Sequence, residues 1–303
     1  LWENTCNGVW DPTESLIEIS FYSPTASGGA SDPCGRIGKW NGVKTTMLAG
    51  ERGSCAGNVK VIHPFVLKWR EKDLTDGEVY NPETVKDKRL NLSVANYQYS
   101  PNKVLYAKGK SDTDKKALEN DADSKLKNKE KQNYTPAKWD IEKYVKNKLI
   151  NNDKSNANWY FLRYADVLLI YAEALNEWKH GPTTEAYAAI NEVRRRGFGY
   201  PSNTGSCDLS NLNEESFREA IRKERAYELA FEGHRRMDLV RWGIYYETIQ
   251  KTNTALANWW DSADTYRYLL YKYTEKNKHE LLPIPQREKD LCIQFKQNPG
   301  WGK

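Results

Sequence analysis

Asn158-Trp-Tyr-Phe-Leu-Arg-Tyr-Ala-Asp-Val-Leu-Leu-Ile-Tyr-Ala-Glu-Ala-Leu-Asn-Glu177 carries the clearest helical rhythm in the chain. Its apolar residues Phe161, Ala165, Leu168, Ala172 and Leu175 fall on one face at a period of 3.6. The pattern predicts a helix from about residue 158 to Trp178, stopped by His180-Gly181-Pro182. A second helix is expected over residues 184–196, with Ala186, Ala189, Ile190 and Val193 inward and Gly197 as its end. The two together have the form of a tetratricopeptide-type hairpin, although one copy is not an array. Asn213 can cap a third helix carrying Phe217, Ile221, Tyr227 and Phe231 and ending near Gly233, and a short fourth helix follows over residues 235–246. Beyond it lie the Trp259-Trp260 pair, Tyr266, Tyr268, Tyr271 and Tyr273 at alternating spacing, and an extended apolar stop at residues 281–285.

Ahead of the helices the chain is irregular. Glu14-Ser-Leu-Ile-Glu-Ile-Ser-Phe-Tyr22 reads as a strand running into a Pro/Gly/Ser loop. Arg36-Ile-Gly-Lys-Trp-Asn-Gly42 reads as a flexible, glycine-bordered loop. Residues 59–63 suggest a short strand halted by Pro64, residues 65–71 are an ambiguous apolar piece, and residues 108–131 are polar throughout. The expected fold is therefore mainly α. Residues 1–150 form a loop-rich section with a few short strands, and residues 151–303 form a helical core.

Composition narrows the function. The 46 Lys and Arg against 41 acids leave +5, scattered rather than striped, so a nucleic-acid partner is not expected. No apolar run approaches the ~20 residues of a bilayer span. Five cysteines (Cys6, Cys34, Cys55, Cys207 and Cys292) lack close pairs. No metal or cofactor is expected, and a Cys34–Cys55 disulfide or buried thiols are both open. The four histidines stand in no nucleophile or metalloprotease pattern.

Two groups of residues bear on chemistry. Glu224 and Glu228 are four apart on one helix, which places their Cβ atoms ~5–6 Å apart with no room for a sugar between them. A structural ion-pair network of Arg163, Glu224, Arg225, Glu228, Arg235, Asp238 and Arg241 is expected instead, with bidentate bonds tying helices together. The second group is aromatic. The 11 Trp and 19 Tyr against 7 Phe favour surfaces that stack on polar ligands such as sugars, whose C–H faces suit a ring plane. Trp40, flanked by Arg36 and Asn41, is the leading ligand candidate, followed by Trp10, Tyr80, Tyr99 and Trp260; Trp69 sits in an apolar run that suits a core.

Read together, the opening stretch, Glu224-Arg-Ala-Tyr-Glu-Leu-Ala-Phe-Glu-Gly-His-Arg-Arg-Met-Asp-Leu-Val-Arg-Trp-Gly243, Leu282-Pro-Ile-Pro285 and Gln297-Asn-Pro-Gly-Trp301 resemble the SusD/RagB family in order and spacing. The resemblance implies a SusD-like helical fold and non-catalytic glycan binding at the outer-membrane surface. It also implies an oligosaccharide ligand, a SusC-like TonB-dependent transporter as partner, and a lipid anchor and tetratricopeptide half not present in this sequence. Two alternatives stay open: a glycoside hydrolase, and a helical docking scaffold that binds no sugar.

Overall fold

The computed structural model describes residues 1–21, 35–45, 55–70, 86–95, 97–100, 103–106, 134–145, 155–200, 205–257 and 270–302. It is mainly α, with a few short strands, and divides into compact units Leu1–Gly233 and His234–Lys303. Tyr80, Trp259, Trp260, Cys34 and the polar stretch 108–131 lie outside the described residues.

In the first unit the helices are α1 (Trp2–Cys6), α2 (Ile37–Trp40), α3 (His63–Arg70), α4 (Arg89–Ser93), α5 (Ile141–Tyr144), α6 (Tyr164–Lys179), α7 (Thr184–Phe198) and α8 (Glu214–Glu228). The strands are β1 (Ser15–Ile19), β2 (Val94–Ala95), β3 (Tyr97–Ser100), β4 (Lys103–Tyr106), β5 (Thr135–Pro136) and β6 (Trp159–Arg163), paired antiparallel as β1–β6, β2–β5 and β3–β4.

Helices α6, α7 and α8 pack through Ala165, Leu169, Ala172, Ala186, Ala189, Ile190, Val193, Phe217 and Ile221. The alanines keep side-chain volume small where α6 meets α7, so the two backbones come close; the larger residues fill the remaining space at interior density. Local signals set the ends. The Thr183 hydroxyl accepts from the Ala186 N–H, Asn213 and Ser216 form a reciprocal capping box, and α6 closes on His180 in the left-handed region (φ +54°).

Front and back of the chain share cores. Trp2 packs edge-on to Trp139 at 5.3 Å and to Tyr160 at 6.0 Å, while Trp139 stacks on Trp159 at 4.8 Å. Trp69 stacks on Tyr227 at 4.6 Å in a cluster with Val66, Leu90, Val94 and Tyr134. Much of the aromatic excess thus sits in cores, where each buried ring contributes ~1.5–3 kcal/mol.

Several expectations are corrected. Residues 159–163 are strand β6 rather than the first turn of a helix: Trp159, Tyr160 and Phe161 suit a strand, and β1 supplies the ladder. Phe161, counted on the buried face of that helix, is consequently 64% exposed. Pro64 stands in the first turn of α3 instead of halting a strand, because proline is tolerated where helical N–H groups have no partner. Gly197 lies inside α7, where a Cβ would meet Arg89 Nε at 2.2 Å; the helix ends at Gly199, φ +76°. Helix α8 stops at Glu228, short of Gly233.

The second unit contains α9 (Arg235–Arg241), α10 (Tyr245–Ala257), α11 (Leu270–Tyr273) and α12 (Gln286–Leu291). The single helix expected over residues 235–246 is therefore two, broken around Gly243 at φ +69°. The two terminal motifs meet. The Gln297 side chain accepts from Ile284 N–H at 2.7 Å and donates to its carbonyl at 2.8 Å, and Trp301 Nε1 donates to the carbonyls of Lys278 and Leu281, both at 3.0 Å. No described helix is long and apolar enough to cross a membrane.

Candidate functional site

Trp40 ends α2 and is 45% exposed. Lys39 Nζ lies 5.0 Å from the centre of its ring, and Arg36 at the start of α2 is exposed. The segment is not the flexible loop expected from its glycines, because three contacts pin it. Asn41 Nδ2 donates to the Phe231 carbonyl at 3.2 Å, and the Ala56 N–H donates to the Lys39 carbonyl at 3.1 Å. The third is Gly42, where a Cβ would lie 2.3 Å from the Gly38 oxygen and 2.7 Å from the Trp139 oxygen. Those neighbours are backbone and cannot swing aside. Gly42→Ala is therefore expected to lower stability by about 1–3 kcal/mol, read as a shift in a urea-unfolding midpoint.

The other ring candidates are placed differently. Trp10 follows α1 and is 59% exposed. Tyr99 is half-buried; its hydroxyl and that of Tyr97 donate to Asp140 Oδ2 at 2.9 and 2.7 Å. Burial pushes both phenols well above their usual range, with the Asp140 charge acting in the same direction. Tyr99 thus anchors strand β3 to the cap of α5, a structural use of its polar end. Tyr80 and Trp260 cannot be placed, as both fall outside the described residues.

The charged residues form a buried knot. Arg163 makes five hydrogen bonds: to Glu232 Oε2 at 2.7 Å and Oε1 at 2.9 Å, Glu14 Oε1 at 2.7 Å, Glu228 Oε1 at 2.8 Å, and the Glu228 carbonyl at 2.7 Å. That uses every N–H a guanidinium has. Arg89 reaches Asp87, Glu224 at 2.6 Å and Glu228 at 2.8 Å. Arg194 pairs with Glu224 at 2.7 Å, Arg196 with Glu14 and Glu228, and Lys138 with Glu232 at 2.5 Å. The acids Glu14, Asp87, Glu224, Glu228 and Glu232 balance the cations Arg89, Lys138, Arg163, Arg194 and Arg196, five against five.

Burial opposes ionisation of Glu228, yet Arg163, Arg196, Arg89 and Lys138 outweigh it and hold the carboxyl well below its usual range. Glu232 is lowered in the same way by Arg163 and Lys138. Lys138 goes the other way, lowered by burial to about 8. Neither Glu224 nor Glu228 faces open solvent. Their oxygens are already bonded to guanidinium groups, so this geometry offers no pair of carboxylates facing across a groove.

Arg225 donates to Asp166 at 2.6 Å. In the second unit Asp238 and Arg241 form an i,i+3 pair at 3.0 Å, and the Arg235 guanidinium lies 5.6 Å from the Trp242 ring. Glu14, Asp87, Arg89, Lys138, Arg194 and Arg196 were not singled out in the sequence. Many of their partners are remote (135 residues separate Arg89 from Glu224), so local spacing carries no trace of them. Lys138, between the buried Ala137 and Trp139, gives only a weak hint of a buried charge. Among the described residues no group of three or more His, Cys, Asp or Glu could hold a metal ion.

The sequence model described as "SusD family" matches residues 13–301. SusD-like protein P25 of Formosa agariphila is 38% identical over 131 residues, 43% of this chain and 22% of that protein. A solved SusD homologue from Bacteroides thetaiotaomicron is 66% identical with a TM-score of 0.83, matching 99% of this chain and 54% of its own. A structure described as a laminarin-binding SusD-like protein shares the fold at 22% identity and a TM-score of 0.53, over 99% of this chain and 53% of that one. The chain thus spans about half the length of these solved relatives, and less of the curated one. With a helical core, terminal motifs that bond to one another and a match over nearly its whole length, this chain belongs to the SusD family.

Proposed function

We propose that this protein binds an oligo- or polysaccharide at the bacterial outer-membrane surface and passes it to a SusC-like TonB-dependent transporter without breaking a bond. Attachment to the membrane would be by a lipid anchor. The observation that carries the reading is Trp40, an exposed ring on a segment fixed by Asn41, Gly42 and Ala56, with Arg36 and Lys39 beside it. A ring held still before the ligand arrives loses little entropy on stacking, and neighbouring cations can donate to sugar hydroxyls. Relatives of the same fold include the laminarin-binding protein and a structure described as surface glycan-binding protein A of B. thetaiotaomicron, which favours a glycan over other polar ligands.

The non-catalytic part of the proposal is supported by the engagement of Glu224 and Glu228 with Arg89, Arg163, Arg194 and Arg196. Affinity electrophoresis through gels containing laminarin, starch or other polysaccharides tests the reading. At least one glycan should retard the protein, and Trp40→Ala should weaken that binding about five- to tenfold, the worth of one stacking contact of ~1 kcal/mol. Retardation unaffected by Trp40→Ala would move the site elsewhere, and release of shorter sugars on incubation would make the protein a hydrolase.

A further inference from the structure

A small hollow of about 30 Å³ is lined by the C-terminal ends of α3, α7 and α8 and by the residues just before α4. Its walls are rings. Trp69 and Tyr227 stack at 4.6 Å, within 4° of parallel and both buried, and Phe198 closes another side. The charged part of its lining is nearly all of one sign: Arg70, Lys86, Arg194 and Lys223 against Asp87. That acid is committed elsewhere. Asp87 Oδ1 accepts from the Arg89 backbone N–H at 3.1 Å and from Nε at 2.9 Å, while Oδ2 accepts from Arg89 Nη2 at 2.7 Å and Trp69 Nε1 at 2.9 Å. Arg194 is held in place, donating to Glu224 at 2.7 Å and to the Cys207 carbonyl at 2.8 Å, with its guanidinium 5.4 Å from the Phe198 ring. Lys223 Nζ lies 5.7 Å from the centre of the Tyr227 ring, and Lys86 is exposed at the edge.

We propose that this hollow is an anion subsite, which takes the carboxylate or sulfate substituent of an acidic glycan while the sugar ring stays outside it. Size sets the first part of that assignment. About 30 Å³ is the share of one water molecule in the liquid, room for a single small group and not for a pyranose. Charge sets the second. Cations gathered over apolar rings act through a medium less polar than water, so they attract an anion more strongly than scattered surface lysines do. A neutral hydroxyl would draw little from the same lining, whereas an anionic oxygen makes charge-assisted hydrogen bonds. Ammonium groups are point charges that suit a carboxylate and a sulfate alike. The glycan as carrier rests on the function proposed above; the preference for negative charge rests on the lining alone.

Calorimetric titration of the full 303-residue chain with two matched pairs of oligosaccharides provides the test: oligogalacturonate beside its methyl ester, and a sulfated galactan fragment beside its desulfated form. In at least one pair the acidic member should bind about tenfold or more tighter, and the pair that shows this identifies the group as carboxylate or sulfate. Lys86→Gln/Lys223→Gln should erase the preference and leave binding of the neutral member unchanged. Lys251→Gln/Lys272→Gln, which removes two charges from exposed positions in the second unit, should leave the preference intact. A preference that survives the pocket variant, or that the control variant lowers equally, would overturn the subsite. So would the absence of a preference in both pairs, a result that leaves neutral-glycan retention and its dependence on Trp40 untouched. Lys86 is exposed and Lys223 half-buried, so the unfolding midpoint of the pocket variant should not move. If it falls, Lys86→Gln alone gives the readout: a loss of about threefold for the acidic member is expected, and no loss overturns the proposal.

Discussion

Glu228→Ala is expected to remove about 3–5 kcal/mol of folding stability, a large share of the ~5–15 kcal/mol that holds a domain together. Glu228 accepts from Arg89 at 2.8 Å, Arg163 at 2.8 Å and Arg196 at 2.7 Å, and its side chain is almost wholly buried. Taking the guanidinium groups of Arg89 and Arg163, the two buried ones of the three, out of water is costly, and the carboxylate between them offsets that cost at close range. Its removal leaves Arg89 and Arg163 each one carboxylate short in a buried site. An Arg cannot escape by losing its proton, so the whole penalty falls on folding. Urea unfolding of the variant should give a lower midpoint at an unchanged slope. A loss below about 1 kcal/mol would mean that the knot relaxes or admits water, contrary to the packing seen. Replacing the acid and its cations together by apolar residues of matched volume should be far milder, because the desolvation cost goes with the charges.

Acid should dismantle the same knot. Glu228 and Glu232 both have folded values below the ordinary 4.5 for glutamate, so as pH falls the unfolded chain takes up protons before the folded one. Their stabilisation is complete above about pH 4.5 and is lost as pH drops through the folded values. Asp140, pushed up from 3.8 by burial, opposes this, but it is one group against two. Denaturation midpoints measured from pH 7 down to pH 3 should fall steeply below about 4.5, and Glu228→Gln should flatten that slope while starting from a lower plateau. A wild-type curve that is flat across this range would contradict the charge state assigned to the knot.

Sequence patterning gave good access to the helices and poor access to their surroundings. The alanine-rich faces of α6 and α7 and the Asn213 cap were legible because each is a signal within a few residues. Strand β6 was not, since Trp159–Arg163 can match either period and only pairing with a strand some 140 residues earlier decides it. Arg163 was expected among the ion pairs, but its partner Glu14 lies 149 residues away and leaves no local signal. The Trp40 segment was read as mobile from its glycines, whereas Gly42 is there to let backbones approach. Composition pointed to rings as ligand surfaces, but Trp2, Trp139 and Tyr160 are core, and periodicity cannot separate a packed ring from a presented one.

The central claim is a division of labour in which recognition rests on Trp40 and the buried charges serve only the frame. Titration calorimetry of the folded protein with a retained glycan, run beside urea unfolding on wild type, Trp40→Ala and Glu228→Gln, separates the two directly. The account predicts that Trp40→Ala loses affinity about five- to tenfold with its unfolding midpoint unchanged, while Glu228→Gln lowers the midpoint and keeps wild-type affinity at temperatures where it is folded. The reverse pattern, with affinity lost in Glu228→Gln and intact in Trp40→Ala, would contradict it.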